Sequence, residues 1–402
     1  MSALVAAFRV PGQGACLLVG LGHAGVHWIA ATLYLLIPFI ARDLGLSYTE
    51  AGVIMTVFHV ASAASNPPSG VLVDLSGRRV AVQVAALATG ALGLAALGRV
   101  PSFAAICVAV GVIGAMNMLW HPAAIAELSA RFPKRRGYAL AIHALGANLG
   151  DAVAPLVAGW LLLVLSWPAT ATVTASVPLA VAAAIALVLG RGERRRASAG
   201  VHLGLAEYAH GARRMVADRA VLGLSLAAGV RTMAQGGLML FLPLYLADVL
   251  GLGPLWLGAA LMALQIGGIV AAPLAGVASD HFGRRRVAVL GLAAATVVLA
   301  ALTAVAAPAA FVAGAAVLGV FLYAVRPVIH SWMMDLVPAK LGGSATSLMF
   351  GVQSALAAAA PVIGGVVADR IGLGAVFYLL AATMAAATAL TAVVPRSTRI
   401  AG

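Results

Sequence analysis

The sequence predicts an all-α membrane protein with twelve transmembrane helices in two parallel six-helix repeats. Three observations predict it. Hydrophobic residues fill 63% of the 402 positions and charged residues only 9%, against roughly 25% charged in an ordinary soluble domain. The apolar runs are mostly about 18 to 28 residues long, where a spanning helix needs roughly 20. A ten-residue pattern, G-x-x-x-D-x-x-G-R-R, occurs twice between long apolar runs, at Gly70 to Arg79 and at Gly276 to Arg285, 206 residues apart.

In chain order the predicted spans of the first half are about 14–41, 48–73, 79–98, 102–128, 137–163 and 168–190. Those of the second half are about 219–247, 254–279, 286–306, 309–334, 342–367 and 372–394. An even count per half points both halves the same way. This divides the chain into a bundle over 1–190, a polar linker over 191–218 and a second bundle over 219–402. The repeat extends to the prolines. Pro67 matches Pro273 and Pro155 matches Pro361 at the same offset, while Pro38 and Pro243, like Pro122 and Pro327, are one residue closer. A proline inside a membrane breaks the backbone ladder and needs compensation, so four matched kinks point to duplication. Alanine and glycine crowd the spans, which suits close helix–helix approach in lipid.

The formal charge of +13 is distributed asymmetrically rather than patterned for nucleic acid. About twenty of the 25 Lys and Arg fall on one side of the predicted membrane, and the opposite loops hold Arg42, Arg99 and Arg370. By the positive-inside rule this puts both termini and the linker in the cytoplasm. The N-terminal run is too long for a signal peptide and lacks a clear cleavage site, so it is expected to be retained. Cys16 and Cys107 lie inside apolar runs and read as small core residues rather than a disulfide. There is no nucleophile–base pair, metal cluster or nucleotide-binding G-x-x-x-x-G-K-[ST] motif, which argues against an enzyme, a cofactor and ATP as energy source.

The two hairpins resemble the signature loop between helices 2 and 3 of major facilitator transporters, G-x-L-x-D-R-x-G-R-R, with Leu72 in place. Leu75 and His281 stand where that loop is usually basic. The resemblance implies alternating access between two halves, with helices 1, 4, 7 and 10 lining a central cavity and 3, 6, 9 and 12 outside. It also implies that Asp74, Arg78, Arg79, Asp280, Arg284 and Arg285 gate the cytoplasmic side. Physically, the hairpin glycines permit a tight turn and close packing, and Asp74 can accept from backbone N–H groups and neighbouring arginines. Glu127 and Asp335, near the cytoplasmic ends of helices 4 and 10, read as gate salt bridges to Arg78, Arg131, Arg284 or Lys340. Gly150 to Gly159 on helix 5, with Pro155, is similar to the G-x-x-x-G-P-x-x-G-G motif of proton-driven antiporters, with Ala154 and Ala158 replacing glycines. It is echoed at Ala360, Pro361, Gly364 and Gly365. Small residues and proline there suit a tight seam at the outward side. Trp120-His121-Pro122 and the run from Leu145 to Gly150 resemble the fosmidomycin-resistance group of drug/proton antiporters.

Independently of the resemblance, buried polar residues select the same four helices. Polar pairs four residues apart, and hence on one helix face, are His23/His27, Asn117/His121, Arg231/Gln235 and Arg326/His330. Arginine stays charged, so Arg231 and Arg326 must be paired or face water or an anion. They are the leading substrate-binding residues, for a carboxylate, phosphate or phosphonate. The competing reading neutralises them with Asp335, Asp151 or Glu127. His23, His27, Asn117, His121, Gln235 and His330 are expected to shape the pocket. His59 and Gln265, equivalent in the repeat, line its wall. Asp151 lies about fourteen residues into helix 5, roughly 20 Å deep at 1.5 Å per residue. It is the proton-carrier candidate, against a fixed ion pair with Arg231 or Arg326. His23 and His27 have ligand-like spacing, yet no carboxylate or cysteine stands beside them in sequence, so no metal is expected. The combined expectation is a monomeric carrier in a bacterial cytoplasmic membrane, exporting a small organic anion or amphipathic drug in exchange for protons. An uptake carrier or anion exchanger on the same fold is the alternative, and a non-transporting sensor or scaffold a third.

Overall fold

The computed structural model describes residues 12–100, 102–193, 218–337 and 342–395. Most of the linker, Lys340 and both chain ends lie outside the described residues, and so does the side chain of Asp74. Twelve long helices are present among the described residues. They are α1 (Gln13–Leu44), α2 (Tyr48–Ser76), α3 (Arg79–Leu97), α4 (Phe103–Arg131), α5 (Arg136–Leu161) and α6 (Trp167–Val188) in the first half. The second half has α7 (Arg219–Asp248), α8 (Pro254–Phe282), α9 (Arg284–Ala301), α10 (Pro308–Leu336), α11 (Gly342–Ile371) and α12 (Leu373–Val393). Ten are long and apolar enough to cross a membrane. The other two, α2 and α7, are diluted by polar groups: His59, Ser62, Asn66 and two prolines in α2, and Arg219, Arg231 and Gln235 in α7.

Local chemistry sets the helix ends. Ser47 and Glu50 form a reciprocal capping box at the start of α2, satisfying N–H groups that have no intrahelical partner. Ser102, Ser166 and Asp218 cap α4, α6 and α7. In the two matched hairpins the turn residues Gly77 and Gly283 adopt φ of 61° and 90°, a region disfavoured for residues with a Cβ. The other hairpin glycines differ from expectation. A Cβ on Gly70 or Gly276 would meet nothing within 4 Å, so neither serves close packing.

The halves repeat each other in packing as well as in sequence. In the first, α1 packs on α5 and α2 on α4; in the second, α7 packs on α11 and α8 on α10. Backbone contact makes three of these pairs intimate. A Cβ on Gly146 would lie 2.0 Å from the Gly20 carbonyl oxygen, one on Gly114 2.3 Å from that of Phe58, and one on Gly319 1.9 Å from that of Leu264. Helices α3 and α6, like α9 and α12, pack on the flanks of these pairs. The halves meet through α2 against α11 and α5 against α8.

Candidate functional site

The close approach of α1 and α5 assembles a polar cluster inside the first half. Gly146 and Gly150 sit against the carbonyls of Gly20 and Ala24, and this brings His143 and Asp151 beside His23 and His27. The His27 Nδ1 meets an Asp151 carboxylate oxygen at 3.0 Å. His23 is 6% exposed. Its Nδ1 lies 2.7 Å from the His143 carbonyl oxygen and its Nε2 3.2 Å from the Nε2 of His121 on α4. The His143 ring stacks on that of His23 with centroids 3.7 Å apart, and both His143 ring nitrogens are buried without a partner. His121 holds its Nδ1 2.8 Å from the Asn117 carbonyl oxygen. Asn117 thus contributes its backbone to the cluster.

The second half presents the opposite chemistry. Arg231 is 4% exposed. Its Nη2 donates to Gln235 at 2.8 Å and to the Leu322 carbonyl at 3.0 Å, and its Nε is buried with no partner. Arg326 is exposed and forms no ion pair among the described residues. The three acids proposed to neutralise these arginines are engaged elsewhere. Asp151 pairs with His27, Glu127 with Arg131 on its own helix, and Asp335 with Arg284. The fixed pair of Asp151 with an arginine is therefore corrected to a pair with a histidine. His330 lies within electrostatic reach of Arg326 and Arg231, its ring tilted against Phe350.

Two tyrosines that stand between the halves are not among the residues the sequence singles out. Tyr323 lies within reach of Asp151 as well as Arg231 and Arg326, and its hydroxyl meets Gln235. Tyr34 lies within reach of both Asp151 and Tyr323, and its hydroxyl is 3.1 Å from the His59 Nε2. His59 in turn faces Gly236 of the other half. Tyrosine in an apolar span carries no charge signature, which is why neither stood out. Gln265 is buried on α8.

The expected gate residues occupy the basic end of the bundle. Arg284 pairs with Asp280 and Asp335 and donates to Ser279, and Arg79 donates to the Ala126 carbonyl on α4. Arg78 is exposed and Arg285 half-buried. The backbone N–H groups of Val80 and Ala81, at the start of α3, are accepted by Glu193 at 2.6 and 3.1 Å. These contacts each tie helices of one half.

Closure between the halves is found at the opposite end, which we call the far end. A Cβ on Gly52 would lie 2.2 Å from the Pro361 carbonyl oxygen, and one on Gly258 2.3 Å from that of Pro155. Gly365 packs on Tyr48 and Thr49, and Gly159 on Pro254 and Leu255. The two seams are related by the sequence repeat, and the glycine–proline motif of α5 and its echo in α11 build them. Polar contacts finish the closure. Arg42 pairs with Asp248 at 3.1 Å, which also accepts from the Tyr48 hydroxyl. Asp369 accepts from the N–H groups of Tyr48 and Thr49, both at 2.9 Å, and from the Thr49 hydroxyl at 2.5 Å. Arg42 and Asp248 are themselves repeat-equivalent, 206 residues apart. In sequence, charge at loop ends signals only membrane orientation, so this latch is not legible there.

Comparison with known proteins agrees with this architecture. An uncharacterised MFS-type transporter of Bacillus subtilis is 28% identical over 149 residues, 37% of this chain and 36% of that protein. The hexuronate transporter of Escherichia coli K12 is 25% identical over 148 residues, covering 37% and 33% of the two chains. The fosmidomycin resistance protein of the same strain is 24% identical over 144 residues, covering 36% and 35%. The chain thus matches about a third of the length of each of these relatives. Among solved structures, a bacterial homologue of the human lysosomal transporter Spinster, in an inward-facing and unoccupied conformation, superposes with a TM-score of 0.76 at 16% identity, covering 96% of both chains. The nucleoside transporter NupG gives 0.78 at 12% identity, covering 94% of this chain and 99% of that one. The family model described as Major Facilitator Superfamily matches residues 19–270 and 224–400. The chain belongs to the Major Facilitator Superfamily.

Proposed function

We propose that this transporter moves a small organic anion by alternating access across a bacterial cytoplasmic membrane, with the basic end and both termini in the cytoplasm. The observation that carries the reading is two arginines on α7 and α10 that form no ion pair with an acid among the described residues. A buried guanidinium left with an unpaired N–H is costly in a membrane interior, and a planar anion with two oxygens satisfies it by bidentate hydrogen bonds. Arg231 and Arg326 hold the substrate in this reading. Gln235, His330, Asn117, His23, His27 and His121 shape its pocket, and the hairpin charges act on the cytoplasmic gate. Relatives named for hexuronate and galacturonate favour an anionic substrate.

The direction we propose is export in exchange for protons, with Asp151 carrying the proton. It rests on the antiporter-like motif of α5 and on similarity to a fosmidomycin resistance protein. Uptake of a sugar-acid-like carboxylate is the second reading, favoured by the hexuronate and galacturonate names. A thermal-shift screen of anionic metabolites and drugs, repeated in Arg231→Ala and Arg326→Ala, tests the substrate class. Stabilisation of the wild type that both variants lose supports it, and a ligand that stabilises all three equally overturns the arginine assignment. A proteoliposome assay with that anion and an imposed pH gradient separates export from uptake. Full coupling in Asp151→Asn removes the proton assignment.

A further inference from the structure

We infer that His23, His27 and His121 form a binding site for a divalent transition-metal ion of the zinc, cobalt or nickel type. One ring nitrogen from each of the three lies within 4.8 Å of the other two. The hydrogen bonds around the rings decide which nitrogens are free. The Nδ1 atoms of His23 and His121 each face a backbone carbonyl oxygen, which only accepts, so each Nδ1 carries the proton. The Nδ1 of His27 faces the Asp151 carboxylate. In neutral rings this leaves every Nε2 as a bare lone pair.

Two of these lone pairs then face each other, His23 Nε2 to His121 Nε2, at 3.2 Å. That arrangement is repulsive unless a cation serves both. A proton serves two nitrogens, whereas a third ring nitrogen within 4.8 Å of both suits a metal. The spacing is also right. At a Zn–N distance of about 2.0–2.1 Å, tetrahedral ligand nitrogens stand about 3.3–3.4 Å apart, so His23 and His121 are already near ligand separation.

The surroundings have the character of a metal site's outer layer. Imidazole ligands to metals nearly always donate their second N–H to a carboxylate or carbonyl, which fixes the tautomer and turns the ring. All three rings have such a partner here. His143 stacks on His23 and holds its plane. Imidazole is a preferred donor for the borderline divalent metals. The carboxylate missing beside His23 and His27 in sequence is supplied by α5 in space. In this inference Asp151 orients His27 and leaves the metal to the rings, and the site is independent of whether an organic anion is the substrate.

The test uses full-length protein in detergent with a tag free of histidine. Zinc is titrated in competition with a chromophoric chelator, and cobalt is added in a parallel sample to record its visible absorption. The expected result is one metal per chain, with the intense cobalt bands of a low-coordinate, nitrogen-ligated ion. His23→Gln or His121→Gln weakens zinc binding at least 100-fold. Asp151→Asn weakens it about 10- to 100-fold while keeping the stoichiometry. His281→Gln, on the exposed hairpin, leaves it unchanged. No stoichiometric zinc in the wild type overturns the inference. So does a cobalt spectrum of an all-oxygen octahedral ion, or wild-type affinity in a monodisperse His23→Gln/His27→Gln/His121→Gln protein.

Discussion

Removing the Asp369 side chain tests how the halves are held together at the far end. Its carboxylate on α11 accepts three hydrogen bonds from the first turn of α2, so it caps a helix of the other half. These bonds exist only while the far end is closed, so they bias the molecule toward that state. An acidic N-cap is worth about 0.5–2 kcal/mol. The solvent-exposed position favours the lower part of what charged hydrogen bonds contribute. Asp369→Ala is therefore expected to shift the balance by about 1–2 kcal/mol, roughly 5- to 30-fold toward a far end that is open. Spin labels at Leu163 and Val249, exposed positions at the far end of each half, report the separation by pulsed electron resonance. The native cysteines Cys16 and Cys107 are first replaced by alanine. The long-distance population should grow by that factor, with helix content unchanged. Arg42→Ala/Asp248→Ala should shift it the same way. An unchanged distance distribution in both variants refutes the latch.

Other outcomes follow from the same geometry. Gly258→Ala puts a Cβ 2.3 Å from the Pro155 carbonyl oxygen; such overpacking costs about 1–3 kcal/mol and should also populate the open far end in the distance measurement. Gly146→Ala forces α5 off α1 at the Gly20 carbonyl; it should lower the melting temperature and weaken zinc binding together, since it moves His143 and Asp151 away from their partners. Arg231→Gln removes an unpaired buried charge, so the ligand-free protein should melt no lower than the wild type while losing its stabilisation by anions. A large loss of stability without ligand would mean that the Gln235 and Leu322 contacts, rather than a substrate, justify the arginine.

Much of the architecture was legible because lipid imposes it. Twelve spans, their boundaries to within a few residues, and the duplication all followed from apolar run length, matched prolines and the paired hairpins. The polar pairs of α1, α4, α7 and α10 were legible too, since a polar group in an apolar run stands out at helical spacing. What those residues touch was not. Asp151 had arginines as candidate partners, yet it meets His27, because glycines at 146 and 150 let α5 ride directly on the backbone of α1. Glu127 and Asp335 pair with Arg131 and Arg284, two of the partners considered for them.

The chain's own chemistry thus determined that it forms apolar helices of membrane-crossing length, that its halves are copies, and where along its helix each polar group lies. Composition and periodicity encode those properties because they depend on the solvent around each helix. Tertiary structure alone decided which rotation each helix takes and which faces meet. Those choices rest on contacts between residues more than a hundred positions apart, such as His23 with His143 of α5 and Asp369 with the first turn of α2. The imidazole cluster, the uncompensated arginines and the far-end latch all belong to that second category. Each is a relation between helices, and no single helix carries it.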